Sequence, residues 1–170
     1  MSTTNKTSRF INVEGESFPY FIVNFKDKLE SKSNFRIKKS DWAVMKRFES
    51  MVSAEVSRAL PAQWEIGSRE DKLIERPKVA CALIAAGRVD NGNISKSILD
   101  SLEGLVYIND ASVISSTSLS ASRKESGFSL GFLLLPRDIE LSRVTILQNL
   151  LTQEVLTSFR EGSLESAHRV

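Results

Sequence analysis

The residues of this chain whose types and order could do chemistry lie in RVDNGNISKSILDSLEGLVYINDASV, Arg88 to Val113: Asp90, Asn91, Asn93, Lys96, Asp100, Asn109 and Asp110. Asp90 stands just before a helix predicted from Ile94 to Leu102, and Asp110 just after a short apolar strand predicted at Leu105–Ile108. If that helix packs back on a sheet, both carboxylates can reach one spot near its N-terminus. Two carboxylates about 4 Å apart repel, and both stay ionised only beside a cation. Magnesium suits such a pair, because it takes hard oxygen ligands, keeps several waters and bridges a phosphate. It can activate a water and stabilise the leaving oxygen in phosphodiester hydrolysis. Lys96 would steady the charge developing on phosphorus, or pair with Asp100 four residues on. Ordinary surface polarity is the competing reading, since Asp and Asn are common in turns.

Composition narrows the alternatives. The single cysteine, Cys81, sits in an apolar run, which excludes multi-cysteine zinc sites, and the single histidine, His168, lies near the C-terminus, which argues against histidine-based triads and metal sites. Metal chemistry must therefore use oxygen ligands, which means magnesium, manganese or calcium. A lone buried thiol behaves as a small hydrophobe and fits a reducing cytoplasm. No apolar run approaches the roughly 20 residues of a membrane-spanning helix, so no membrane partner is expected. With 170 residues, 41% of them hydrophobic, the chain suits one domain with a full core.

The elements that must position these residues follow from periodicity. FPYFIVNF, Phe18 to Phe25, reads as a strand. Trp42, Met45, Phe48, Val52, Val56, Ala59 and Leu60 recur at three- and four-residue steps, which predicts an amphipathic helix from Asp41, capped by Ser40 and ended by Pro61. Lys78 to Ala86, KVACALIAA, is continuously apolar and reads as a buried strand, with a short helix as the alternative. Val113–Ser122 and Phe128–Leu135 are expected to pair as a hairpin across RKESG. A C-terminal helix from about Asp138 to Phe159 follows, serving either to cover the core or to contact another subunit or a protein partner. Trp64 reads as packing in a connection, with base stacking as the alternative. The fold expected is mixed α/β: a small sheet of about four strands with helices packed mainly on one face, plus that C-terminal helix.

The run from Asp90 to Val113 resembles the signature of the RusA family of Holliday junction resolvases. In that family an Asp-x-Asp-Asn-x-x-Lys motif opens a helix, an Asp follows four residues after the Lys, and an Asp-Asp pair follows the next apolar segment. Here Asp90, Asn93, Lys96 and Asp100 match the first part, Leu102, Gly104, Val106 and Tyr107 the segment after it, and Asn109 and Asp110 stand at the acidic pair. Two positions depart: Gly92 replaces the second Asp of the motif, and Asn109 the first of the pair. The resemblance implies a RusA-like domain over 18–135; the residues outside it read as a flexible leader at 1–17, a helical extension at 136–160 and a frayed tail at 161–170. It implies a magnesium-dependent, structure-selective endonuclease, with manganese as a substitute ion, that resolves branched DNA in recombination and repair as a homodimer. Asp90 and Asp110 would be the metal ligands, Lys96 the third catalytic residue, and Asn91, Asn93, Asp100 and Asn109 auxiliaries. The loss of a carboxylate at Gly92 motivates the alternative, a relative that binds branched DNA or a protein partner without cutting.

Net charge is only +2, so any grip on DNA must come from local patches. One is the basic loop with Lys32, Asn34, Phe35, Arg36, Lys38 and Lys39, where the aromatic can stack on an unpaired base. The other is Arg123 and Lys124 at the expected hairpin tip. Solvated surface is the competing reading for both.

Overall fold

The computed structural model describes residues 9–26, 39–62, 64–66, 77–87, 98–122 and 124–168, with 39–42 and 163–168 described by backbone alone. The elements are β1 (Arg9–Val13), β2 (Glu16–Phe25), α1 (Lys39–Ala59), β3 (Lys78–Ala86), β4 (Val113–Ala121), β5 (Phe128–Leu135) and α2 (Leu141–His168). Together they form a mixed α/β fold on a five-stranded sheet of order β1-β2-β5-β3-β4. Only β3 and β4 run parallel; the other neighbours are antiparallel.

Burial on two faces dictates this order. β3 and β5 are apolar almost throughout, which suits central strands covered on both sides. Val79, Cys81, Leu83 and Ala85 of β3, with Phe128, Leu130 and Phe132 of β5, point to one face. There they meet Met45, Phe48, Val52 and Val56 of α1, at the helical spacing read from the sequence. Ala80, Ala82 and Ile84, with Leu133 and Leu135, point to the other face. That face is covered by Val144, Leu147, Leu151, Val155 and Phe159 of α2. No helix among the described residues is long and apolar enough to cross a membrane.

Several expectations are corrected. The sheet has five strands, because residues 9–13 form an edge strand where a leader was expected up to residue 17. Its hairpin closes through Glu14 and Gly15 at φ 50° and 83°, the double positive φ that a two-residue turn between twisted strands requires. Helices cover both faces rather than one, so α2 is half of the core and not an extension beyond a finished domain. The helix also continues through residues 161–168, where a frayed tail was expected. β4 and β5 do not pair with each other; β3 lies between them. The last amide of β3, that of Ala86, donates to Gly127 at 3.0 Å, and the next, that of Gly87, donates to Ala121 at 3.1 Å. The small polar residues of VISSTSLSA explain the arrangement: β4 has too little apolar surface for a central position, whereas FSLGFLLL has enough for both faces. Residues 105–108 form a turn, not a strand, and are apolar because that turn is tucked under the sheet.

Candidate functional site

A parallel pair cannot be closed by a tight turn, so the chain must cross over between the end of β3 and the start of β4. The motif read from the sequence is that crossover. Its described part begins with helical residues 98–101, which bury Ile98 against the sheet and leave Asp100 exposed. Leu102 is fully buried and ends the helical stretch; the amides of Leu105 and Val106 both donate to its carbonyl, at 3.1 and 3.0 Å. The Gly104 amide donates to the Tyr107 carbonyl at 2.7 Å, and Glu103 and Tyr107 form an isolated bridge. The loop is thereby closed on itself before it reaches Asn109.

Among the described residues, two side chains strap this loop to the body and a third ties it internally. Trp64 donates its indole N–H to the Val106 carbonyl at 2.9 Å while its ring meets Phe21 edge-on, with centroids 4.9 Å apart. Trp64 is thus both packing and a polar latch, buried as the sequence suggested but with a partner no periodicity could name. Ser53 of α1 donates to the Ser101 carbonyl at 2.7 Å. The buried Tyr107 phenol donates to the Leu99 carbonyl. Burial is the main cause holding its pKa well above the ordinary tyrosine value, and Cys81 once ionised, with the charges of Glu103, Asp100 and Asp110, pushes the same way. Tyr107 is therefore a neutral donor at neutral pH.

Asp110 opens a short 3-10 turn, Asp110–Ser112, that leads into β4. Its side chain is exposed, and its amide donates to Oε1 of Glu103 at 3.1 Å. Asn109 precedes it in extended conformation, and its side chain makes no capping hydrogen bond to the turn. Asp100, Glu103 and Asp110 are all near enough to the Tyr107 hydroxyl for their charges to raise its pKa. They do not converge on one point: among the described residues, no group of three or more His, Cys, Asp or Glu side chains is arranged to hold a metal ion.

Of the remaining residues singled out in the sequence, Asp90, Asn91, Asn93 and Lys96 lie outside the described residues, as do Lys32, Asn34, Phe35, Arg36, Lys38 and Arg123. Lys39 is the first residue of α1, described by backbone alone. Lys124 is exposed in the connection between β4 and β5, its amide donating to Ser122 Oγ at 3.3 Å. That connection joins the Ala121 end of β4, whereas Asp110 precedes the Val113 end, so Lys124 and Asp110 stand at opposite ends of the sheet. At a rise of about 3.3 Å per residue the two ends are roughly 25 Å apart. Glu103 was not singled out from the sequence. It precedes Asp110 by seven positions, and the closure of the loop at Gly104 brings the two together.

Cys81 lies on the same face, beside a cavity of about 10 Å³ that Ile98, Leu99 and Thr117 also line. That space holds at most one water, so it takes no substrate. Burial pushes the Cys81 thiol from 9.0 up to about 12. The unfolded chain releases this proton near pH 9 while the folded chain keeps it to about pH 12. Stability from this group is therefore complete below pH 9 and falls by about 1.4 kcal/mol per pH unit above it. Denaturant titrations from pH 8 to 11 are expected to show that decline, and Cys81→Ala to flatten it; equal slopes in both proteins would refute the assignment.

A scan against protein-family models finds no match to this chain, and a comparison with curated proteins finds none either.

Proposed function

We propose that the chain is a RusA-type protein of branched DNA: a magnesium-dependent, structure-selective endonuclease that resolves Holliday junctions or related branches as a homodimer. The observation that carries this reading is the setting of Asp110. A crossover strapped by Trp64 and Ser53 and tied internally by Tyr107 delivers an exposed carboxylate at a defined turn, where a phosphate-bridging cation would have access. Such a carboxylate is the hard oxygen donor magnesium takes, so Asp110 fits the ion. Asp90 is the second ligand that the resemblance implies. Bound magnesium would supply an activated water and neutralise charge on the scissile phosphate. Lys96 would donate to the phosphate oxygens as charge grows on them. Lys32 and Arg36, with Lys38 and Lys39, would hold the backbone of a branch arm, Phe35 would stack on an unpaired base, and Lys124 with Arg123 would contact the far end of the duplex. Two-fold symmetry suits a junction in which two matching strands are nicked.

A second reading has its own observations: the protein binds branched DNA without cutting it. Gly92 and Asn109 remove two carboxylates from the motif. In addition, the chain leaves β3 at Gly87, at the opposite end of the sheet from Asp110 and roughly 25 Å from it by the rise per residue. Asp90 follows Gly87 by three residues, and three residues of fully extended chain span about 10 Å.

Gly92→Asp separates the two readings. On the first, restoring the carboxylate raises magnesium-dependent nicking of a four-way junction by roughly tenfold or more, the scale on which ligand support changes metal-site activity. On the second, junction binding in gel shift is retained, nicking stays absent in both proteins, and Lys32→Ala with Arg36→Ala abolishes binding. Binding by neither protein would reject both.

A further inference from the structure

We propose that Glu103 is a positioning residue for Asp110, a role that rests on Asp110 being a metal ligand as proposed above. The Asp110 amide has Glu103 Oε1 as its acceptor at 3.1 Å, while the Asn109 side chain, the usual candidate to cap such a turn, makes no capping bond. Glu103 is itself held through Tyr107. Its backbone bridges to Tyr107, the next amide, that of Gly104, is bonded to the Tyr107 carbonyl at 2.7 Å, and Tyr107 is anchored in the core. Anchorage therefore runs from the buried phenol through the Glu103 backbone to its carboxylate, and from there to the turn that aims Asp110. Without that acceptor the first amide of the turn is left to water, and the turn loses its side-chain tie to the loop. Supporting groups of this kind set the affinity of a metal site without touching the ion.

The test uses the full chain with Glu103→Ala and Glu103→Gln, because a glutamine oxygen still accepts the amide and an alanine cannot. Two quantities are read: the magnesium concentration for half-maximal junction nicking, and Mn²⁺ binding by calorimetry without DNA. Glu103→Ala is expected to weaken both about tenfold while leaving the nicking rate at saturating metal within about threefold, and Glu103→Gln to stay within about twofold of the parent. A Gln variant as weak as the Ala variant would mean that Glu103 acts through its charge, and the positioning role falls. An Ala variant with unchanged metal dependence overturns it as well. A parent protein that neither binds Mn²⁺ nor nicks junctions is a distinct result: it removes the function of Asp110 itself, and Glu103 then has nothing to position.

Discussion

Deleting residues 138–170 is expected to leave no cooperatively folding domain. The helix removed contributes Leu147, Leu151 and Val155, all fully buried, together with Val144 and Phe159. Each such side chain is worth about 1.5–3 kcal/mol against exposure, so the set matches the 5–15 kcal/mol by which a whole domain is stable. The deletion also uncovers Ala80, Ala82, Ile84, Leu133 and Leu135, an entire face of the central strands. Circular dichroism should show a broad, shallow thermal change and little native sheet signal. A sharp transition near that of the full chain would contradict the two-faced core and restore the view of this helix as an appendage. A milder variant, Leu151→Ala, should cost about 2–5 kcal/mol by cavity formation.

The second large effect is expected at Gly131, in the middle of β5. A Cβ there would lie 2.2 Å from Val155 Cγ2 and 3.3 Å from Leu151 Cδ1. Neither neighbour yields easily, because valine is stiff about its first side-chain torsion and both are packed against the sheet with no exposed surface. α2 approaches this closely only because position 131 has no side chain, which is the usual meaning of a glycine inside a strand. Gly131→Ala should therefore push the helix outward at a cost of about 3 kcal/mol, or about 10 °C in unfolding midpoint for a chain of this size. Val155→Ala in the same protein should recover part of that loss, since the two changes share one contact and will not add. Equal and additive losses would mean that the helix does not rest on β5 at this point.

Both predictions concern α2, and its role shows what the sequence could and could not convey. Its apolar spacing was plain, as were the end of α1 at Pro61 and the whole of β3, where continuous apolar residues from Lys78 to Ala86 coincide with the observed strand. Periodicity reports that an element has an apolar face; it does not report which surface that face meets. β3 and β5 each carry apolar residues at both odd and even positions, and that was the sign of a second covered face. The strand order was harder. Two strands separated by a short glycine-containing connection usually pair, and only the polarity of β4 argued for the edge. β1 was missed because five residues ahead of a Glu-Gly turn carry little signal.

The site divides in the same way. Exposure of Asp100 and Asp110 could be read from their places at the end of a helix and the entry to a strand. The apolar run at 105–108 was misread because a buried turn and a buried strand look alike over so few residues. Its true partner, the Trp64 indole, lies 42 residues away and leaves no local trace. The contact between Glu103 and Asp110 depends on that turn, so it too is invisible until the loop is closed.

The most direct measurement is cleavage of a labelled four-way DNA junction beside a linear duplex of the same sequence, with magnesium, with manganese and with chelator. Paired, symmetric nicks in the junction alone, lost with chelator and lost with Asp110→Asn, are the expected result. Nicking of both substrates alike, nicking that survives chelator, or no nicking in either metal would contradict the endonuclease reading; in the last case, binding to the junction alone would leave the non-cutting reading standing.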